Sequence, residues 1–413
     1  MLILSCSFVK ELLTVLLNVD TIHDGGNYRV KDKEKAQIFQ ALCASGTSTR
    51  REITVSLGFR PITVSRIVKE LIEDRIITEG EPKMRSGKGR PEVELFPNYQ
   101  RLSAVSLTVV SREIRGFLLN LNGEIISSAF ISVPRESANS NIVNKIKGII
   151  MTLLEVLPGD SELAGIGASL PGTVNTGEGQ WISSSRWPEL NNIPLSAVLS
   201  EYAVPVYLYR SLDPELEYQL YKNSDYRKGG TLLFHWGYGI GSAFAWKGKV
   251  LKSTLGRFGE VGHWQIVPES KKRCSCGSYG CLETEAALWA VLPELRKTYP
   301  EAPEDEPEFT NFIKEKDITG LEVIDNALGY VSLSLGNLYK VFYPDRILLL
   351  GPFISNGSIL ESLKQGFSRS IPEYTRSPIE FTVVDGSGGA AQGSVYYIFR
   401  KALKHLLKTR VNV

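Results

Sequence analysis

Cysteine, histidine and methionine are scarce in this chain of 413 residues, which has five cysteines, four histidines and three methionines. So few cysteines exclude a disulfide-stapled fold. A long uninterrupted apolar run is also missing, because Lys10 and Glu11 break the most hydrophobic stretch, residues 1–19. No positive segment precedes this stretch and no small-residue cleavage site follows it. We therefore predict no membrane partner and no signal peptide, and we expect a cytoplasmic protein.

Residues 1–27 have a helical pattern. Apolar side chains recur at the spacing i, i+3, i+4, i+7, i+8, at Val9, Leu12, Leu13, Leu16 and Leu17. This pattern predicts an amphipathic helix that packs on the body or on a second subunit. An unstructured extension and a wrongly chosen start codon remain open alternatives.

Composition and charge indicate a soluble globular protein of two or three domains, with 43% hydrophobic and 22% charged residues. The formal charge of +2 is unevenly distributed. Residues 28–98 hold fourteen Lys/Arg and ten Asp/Glu, residues 1–27 hold one and three, and residues 99–413 balance to zero. The basic excess favours a polyanionic partner for residues 28–98 only.

A group of possible metal ligands lies in residues 259–285. One imidazole and three thiols fall within nineteen positions, at His263, Cys274, Cys276 and Cys281. Four such ligands are the donor set of a closed tetrahedral zinc site, which has no open position for an activated water. The alternatives are a disulfide pair or small buried hydrophobic residues, but Cys274 and Cys276 are too close to bridge easily. The sequence predicts a structural Zn²⁺.

Residues 28–98 have the pattern of three helices followed by a hairpin. In the third helical segment, the apolar residues Ile62, Ile67, Val68, Leu71 and Ile72 form the predicted buried stripe. The remaining polar residues then face outward: Thr63, Ser65, Arg66 and Lys69. Short hydroxyls and an arginine near the start of a helix suit the major groove of double-stranded DNA.

The hairpin after these helices has a basic, glycine-rich tip. Residues 83–90 contain four cations and no acid, namely Lys83, Arg85, Lys88 and Arg90. Beside a recognition helix, such a tip is typical of a wing that contacts phosphates and reaches the minor groove. The alternative is a small helical domain that serves only protein contacts. Helix order, basic tip and charge distribution together favour DNA binding.

The stretches GEVGH at residues 259–263 and CSCGSYGCLE at residues 274–283 resemble the signature of the ROK family of sugar kinases and sugar-responsive repressors. The resemblance extends over about residues 100–400, and the Gly89-Arg90-Pro91 turn resembles that of the winged helix-turn-helix of ROK repressors. It implies an α/β fold, with an N-terminal winged helix-turn-helix followed by a two-lobed actin-like (ribonuclease-H-like) ROK body.

The predicted domains are an extension at 1–27, a DNA-binding domain at 28–98 and an effector and dimerisation body at 99–413. Lobe 1 of this body is expected at about 99–204 plus 385–413, and lobe 2 at about 205–384. The resemblance also implies sugar-binding residues, since Glu260, His263 and Glu283 match family positions that reach sugar hydroxyls and Gly172 lies in the matching Pro-Gly turn. Trp187 could stack on a sugar or simply pack in its loop.

The positions that match the kinases' catalytic carboxylates have changed. The metal-positioning Asp-x-Gly-x-Thr loop of the family corresponds to residues 106–109, where Ser106 replaces the carboxylate. The family's general base falls on Ser211, which cannot act as a base at neutral pH, and Asp213 would lie past the end of the strand. Gly237, Gly239 and Gly241 match the hairpin that approaches ATP, but a tight turn alone would need them.

These residues predict a sugar-responsive DNA-binding regulator that has lost kinase activity. The alternative is a ROK sugar kinase with an appended DNA-binding domain. The expected partners are a double-stranded DNA operator and a sugar or sugar-phosphate effector, the latter because Arg210 could favour an anion. We expect a homodimer or a dimer of dimers, since a two-fold protein matches a two-fold operator.

Overall fold

The computed structural model describes residues 29–83, 92–253, 258–314, 316, 318–375, 379–386 and 389–408. The amphipathic helix predicted in residues 1–27 lies outside these residues, as do three cations of the predicted wing, Arg85, Lys88 and Arg90. Within the described part of the chain, no helix combines the length and the apolar composition that crossing a bilayer requires.

The N-terminal domain is a winged helix-turn-helix. Its three helices are α1 (Val30–Ser45), α2 (Arg50–Leu57) and α3 (Pro61–Glu73), and its sheet contains β1 (Ser48–Thr49), β2 (Ile77–Lys83) and β3 (Glu92–Pro97) in the order β1-β3-β2. Thr49 caps α2 in a reciprocal capping box with Glu52, and Gly58 ends it with a positive φ of 67°. The antiparallel pairing of β2 with β3 confirms the predicted hairpin.

The buried face of α3 differs from the predicted stripe at its first residue. Val64, Ile67, Val68 and Leu71 are buried, whereas Ile62 is 79% exposed. Successive residues of an α-helix are about 100° apart, so Ile62 lies on the opposite side of α3 from Leu71, and Val64 begins the i, i+3, i+4, i+7 face. The prediction for Ile62 was therefore wrong.

The first lobe of the body is built on a five-stranded sheet in the order β10-β7-β4-β5-β6. Strands β4, β7 and β10 are parallel, β5 is antiparallel to β4, and β6 is antiparallel to β5. Its elements are β4 (Leu102–Val110), β5 (Glu113–Asn120), β6 (Ile125–Ser132), α4 (Asn139–Glu155), β7 (Glu162–Leu170), β8 (Thr173–Asn175), β9 (Gln180–Ser183), α5 (Leu195–Val198) and β10 (Val206–Arg210).

The second lobe contains another five-stranded sheet, in the order β13-β12-β11-β14-β15. The remaining elements are α6 (Leu212–Lys222), β11 (Gly230–Trp236), β12 (Ile240–Trp246), β13 (Lys249–Val250), α7 (Leu282–Ala286), α8 (Leu288–Thr298), α9 (Glu306–Lys314), α10 (Glu322–Phe342), β14 (Arg346–Leu350), α11 (Gly357–Ser370), β15 (Glu380–Val383) and α12 (Gly389–Leu406). Helix α12 returns to pack on β4 and β7 of the first sheet.

The chain crosses between the lobes at the end of β10. This strand pairs with β7 along its whole length, so residues 206–210 lie in the first sheet. The sequence had predicted that lobe 2 begins at about residue 205. The second lobe begins after Arg210. The ends of β4, β7 and β10 consequently face the second sheet, and this arrangement forms a cleft between the lobes.

The DNA-binding domain is anchored on the body at the end of α3. The side chain of Asn98 donates to the carbonyl of Arg75, and Arg101 Nε donates to the carbonyl of Asp74. Lys35 forms a buried ion pair with Asp74, with 2.6 Å between Nζ and Oδ2, and its Nζ lies 3.4 Å from the carbonyl oxygen of Leu406 in α12. One cluster of buried hydrophobic side chains includes residues of both domains.

Candidate metal centre, interlobe cleft and DNA-binding surface

The four predicted metal ligands meet in the structure. His263 ends a short 3₁₀ turn, and Cys281 immediately precedes α7. Cys274 and Cys276 are brought to them by a tight loop in which the Gly277 amide donates to the Cys274 carbonyl. Gly277 and Gly280 adopt positive φ angles of 94° and 64°. The loop thus directs four donor atoms to one point, all within 4.8 Å of one another.

The spacing of these atoms fits a tetrahedral ion. His263 Nδ1 lies 3.3 Å from Cys274 Sγ, and the sulfur atoms of Cys276 and Cys281 are 3.7 Å apart. Bonds of about 2.0 Å to nitrogen and about 2.3 Å to sulfur give tetrahedral edges of roughly 3.5–3.8 Å, close to both separations. Burial raises the pKa of the Cys281 thiol to about 12, so the thiolate needs a compensating cation at this point. A Cys/His cluster able to hold a metal is therefore present.

The cleft between the lobes has a volume of about 1680 Å³, and the predicted sugar-binding residues Gly172, Glu260, His263 and Glu283 all line it. His263 separates the two sites, since its Nδ1 faces the thiols and its Nε2 lies 3.8 Å from Glu260 Oε2. Glu283 accepts a hydrogen bond of 3.1 Å from the Ile240 amide, and burial raises its pKa. The Cys/His cluster and part of the cleft wall thus belong to one loop.

Gly172 has a structural requirement of its own. Its φ is +80°, and a Cβ at this position would lie 2.2 Å from the carbonyl oxygen of Ser183. Close packing of two loops therefore accounts for the glycine, independently of any ligand.

Trp187 does not line the cleft. Its ring is fully buried, its Nε1 donates to the Val133 carbonyl, and it packs edge-on against Trp181 with 5.6 Å between ring centroids. Of the two readings left open by the sequence, the structure supports packing. Its neighbours Arg186 and Pro188 do line the cleft.

Ser106 is also absent from the cleft wall. It is fully buried in β4, and its hydroxyl lies 2.7 Å from Ser394 Oγ in α12. The side chains of β4 that line the cleft are those of Thr108, Val109 and Val110. The end of the strand, not its middle, meets the cleft, so the structure does not bring Ser106 to the cleft as the resemblance implied. None of these three residues is an acid.

Arg210 and Ser211 line the cleft at the end of β10. The guanidinium of Arg210 lies 2.8 Å from Asp213 Oδ1 and 3.7 Å from Glu260 Oε1. Asp213 is 3% exposed and accepts from Arg210. The positive charge of Arg210 is therefore compensated within the protein, which removes the reason for expecting this residue to select an anion.

Backbone amides around the cleft are bound by carboxylates of the chain itself. Glu306 accepts from the Tyr238 amide at the tip of the β11–β12 hairpin. Glu283 accepts from the Ile240 amide in the same hairpin, and Glu215 accepts from the Ala390 amide at the start of α12. Such amides are common ligands for phosphate groups. Sequence reasoning missed Glu215 and Glu306, because both contacts join distant parts of the chain.

The predicted DNA-binding residues lie mainly on the solvent face of α3. Ser65, Arg66 and Lys69 are exposed and Thr63 is half-buried, while Lys83 lies at the end of β2. The structure adds Arg60, exposed immediately before α3, and the exposed Ile62, which can contact a thymine methyl group. Pro61 was the sequence signal for Arg60, since it marks where the helix begins, and the helical spacing from Leu71 was the signal for Ile62.

The fold and the sites define a kinase-like two-lobed body that carries a winged helix-turn-helix. The chain belongs to the ROK family, whose sequence profile matches residues 105–398. It is 21% identical over 378 residues to the DNA-binding transcriptional repressor Mlc of Escherichia coli (strain K12), which covers 88% of this chain and 92% of Mlc. It is 24% identical over 348 residues to the xylose repressor of Bacillus subtilis (strain 168), and the alignment covers 83% of this chain and 88% of that repressor.

Solved structures show the same fold. A ROK family transcriptional regulator, a homolog of the E. coli MLC protein, has a TM-score of 0.68 at 21% identity and covers 92% of this chain and 98% of its own. The ROK hexokinase of Thermus thermophilus has a TM-score of 0.58 at 20% identity, and the match covers 73% of this chain and 99% of the hexokinase chain. The similarity to the regulator extends well beyond the length of the kinase-like body.

Proposed function

We propose that this protein is a DNA-binding transcriptional repressor of carbohydrate genes, and that its kinase-like body senses a sugar. The observation that carries the proposal is the chemistry at the strand ends that face the cleft. Thr108, Val109, Arg210 and Ser211 stand there, and none of them is a carboxylate that could act as a general base. The relatives named as repressors support the same conclusion.

A sugar kinase with an appended DNA-binding domain is the alternative. It would need Asp213 as the base, but the Asp213 carboxylate is bound by Arg210 and is not part of the cleft wall. It would also need free amides for ATP phosphates, and the Tyr238 amide is bound by Glu306. Both contacts oppose phosphoryl transfer.

Calorimetric titration separates these functions. The full chain is titrated with hexoses, pentoses, amino sugars and their phosphates, and a parallel cell contains ATP and Mg²⁺. We expect a sugar to bind and ATP to be neither bound nor consumed. ATP turnover would contradict the proposal, and the arm with sugar phosphates tests whether Arg186, the cleft cation beside Tyr238, recruits an anion.

DNA binding by the exposed face of α3 is the output of the proposed sensor. Its operator is identified by selecting genomic fragments on the immobilised protein, and affinity is then measured by fluorescence anisotropy at several salt concentrations. We expect a palindromic site bound by a homodimer, and light scattering on the free protein and on the complex measures the stoichiometry. A protein that selects no sequence would contradict this function.

A continuous set of contacts joins the cleft to the DNA-binding domain. Arg210 at the cleft leads directly into α6, and Gly393 of α12 packs against the backbone of Pro214 in α6. The far end of α12 reaches Lys35, which binds Asp74 at the end of α3. A sugar that binds one lobe arrangement better than another would shift the population of DNA-competent dimers through these helices.

We further propose that the Cys/His cluster binds structural Zn²⁺ and holds the loop that carries Glu260 and Glu283. Cys276→Ser should abolish zinc in an elemental assay and lower the melting temperature. The matched control is Cys43→Ser, which removes a buried thiol in the DNA-binding domain, so zinc should stay at the wild-type ratio. Absence of zinc from the wild type together with an unchanged melting temperature in Cys276→Ser would contradict the metal proposal.

A further inference from the structure

The segment that leads into α9 crosses from the second lobe to the first. Glu304 Oε1 lies 2.8 Å from Arg112 Nη1, and the Glu306 amide donates to Ser111 Oγ over 3.2 Å. Ser111 and Arg112 form the turn between β4 and β5 in the first sheet. The hydrogen bond from Arg112 lowers the pKa of Glu304, so the pair is charged at neutral pH. Two polar contacts therefore join the lobes.

The same acids also hold the β11–β12 hairpin. The Tyr238 hydroxyl donates to Glu304 Oε1 over 3.2 Å, and the Tyr238 amide donates to Glu306 Oε1. From the first lobe, the guanidinium of Arg186 lies over the Tyr238 ring, 5.3 Å from its centroid. Tyr238 is thus contacted by groups from both lobes.

The packing around the Glu306 carboxylate leaves no space for a side chain at Gly237. A Cβ there would lie 2.2 Å from Glu306 Oε1 and 2.7 Å from His235 Cε1. His235 Nε2 itself is 3.5 Å from Glu306 Oε1, and burial lowers the pKa of His235, which favours its neutral form. The glycine of this hairpin therefore accommodates a carboxylate of the chain.

We propose that Glu304 and Glu306 form a built-in interlobe clasp. In this clasp the Glu306 carboxylate accepts the hydrogen bond of the Tyr238 amide, which the anionic group of a ligand would otherwise accept. The clasp holds the lobes together without a bound nucleotide. Opening of the cleft then requires the Arg112–Glu304 pair to break, whichever sugar or DNA the protein binds. The inference does not depend on the proposed transcriptional function.

Hydrogen exchange of the full chain tests the clasp at the hairpin. Glu306→Ala should speed exchange of the Tyr238 amide by about tenfold or more, because a bond to a charged acceptor is lost. Glu308→Ala removes an exposed acid two residues further along the same helix and should leave exchange at the wild-type rate. Equal rates in wild type and Glu306→Ala would overturn the proposal.

The contact between the lobes is tested by charge exchange. Arg112→Glu should increase the radius of gyration in small-angle scattering, and the double variant Arg112→Glu with Glu304→Arg should restore it. A single variant with an unchanged radius, or a double variant that stays expanded, would overturn the interlobe role. Circular dichroism confirms that each variant is folded, and Arg112→Lys supplies a milder substitution that should expand less.

Titration with inorganic pyrophosphate tests the role of Glu306 as an internal anion. The wild type should release no heat, whereas Glu306→Ala should bind pyrophosphate, and Glu306→Gln should bind it less tightly because its amide still fills the space. Binding of equal strength by the wild type, or by none of the variants, would contradict the assignment of the hairpin as an anion site blocked by Glu306.

Discussion

The solvent face of α3 and the interlobe cleft both contain several charged side chains, but the charges on α3 are exposed whereas several of those in the cleft are paired within the protein. On α3, Arg66 is exposed, and the pair of Lys69 with Glu73 is long and solvated, at 3.8 Å. In the cleft, Arg210 is buried against Asp213, and Glu304 is bound by Arg112. The first surface is available to neutralise an external polyanion, whereas a ligand of the cleft must compete with partners that the chain supplies.

Arg210→Ala should give the largest loss of stability. It leaves the Asp213 carboxylate buried without its cation, which costs about 3–5 kcal/mol of unfolding free energy. The double variant Arg210→Met with Asp213→Leu removes both charges and should recover most of this loss. Urea denaturation measures all three proteins, and a loss below about 1 kcal/mol in the single variant would show that the cleft does not depend on the pair.

Arg66→Ala should weaken operator binding by about 1–3 kcal/mol, a factor of roughly 5 to 150, with no loss of stability. The control Lys249→Ala removes an exposed cation of the body and should leave operator affinity unchanged. Anisotropy titrations at several salt concentrations provide the measurement. If both variants lose the same affinity, binding reflects total charge and not the face of α3.

Ile62 and Val64 lie two positions apart on α3 and should respond oppositely. Val64→Ala opens space in the core and should cost about 1–3 kcal/mol of stability, since the side chain is fully buried. Ile62→Ala should change stability by less than about 0.5 kcal/mol and reduce operator affinity. Thermal melts and anisotropy on both variants decide this. The opposite assignment of effects would restore the stripe predicted from the sequence.

His235→Gln should change the pH dependence of stability. Burial lowers the pKa of His235 below its ordinary value of 6.5. The unfolded chain therefore binds more protons below pH 6.5, so this residue's contribution to stability is full above that pH and is lost as pH falls. His235→Gln should flatten the decline in urea midpoint between pH 6.5 and pH 5, whereas the exposed control His405→Gln should follow the wild type. Parallel declines in all three proteins would refute this origin.

Sequence patterns correctly predicted those features of the structure that are formed by residues close together in the chain. The predicted metal ligands His263, Cys274, Cys276 and Cys281 share one loop, so their spacing alone indicated that they meet. The prediction for Ile62 counted its apolar side chain but not its spacing, since it lies nine positions before Leu71 and therefore about 180° away around the helix.

The contacts that sequence reasoning missed join distant positions. Glu304 and Arg112 are 192 residues apart, and Glu306 and Tyr238 are 68 apart. Ser106 was expected at the cleft because the family motif gives an alignment but not how far along β4 the cleft lies. Arg210 was correctly expected in the cleft, yet its compensation by Asp213 depends on the direction of a side chain in the first turn of α6.

The anchoring of Lys35 by both Asp74 and the Leu406 carbonyl affects how the protein is made. The DNA-binding domain precedes α12 in the sequence, but some of the side chains that cover its hydrophobic core belong to α12 and are translated later. A nascent chain therefore has a winged helix with part of its apolar surface still exposed. Operator binding with full affinity should therefore begin only after α12 has been translated, and products truncated before α12 should bind the operator more weakly.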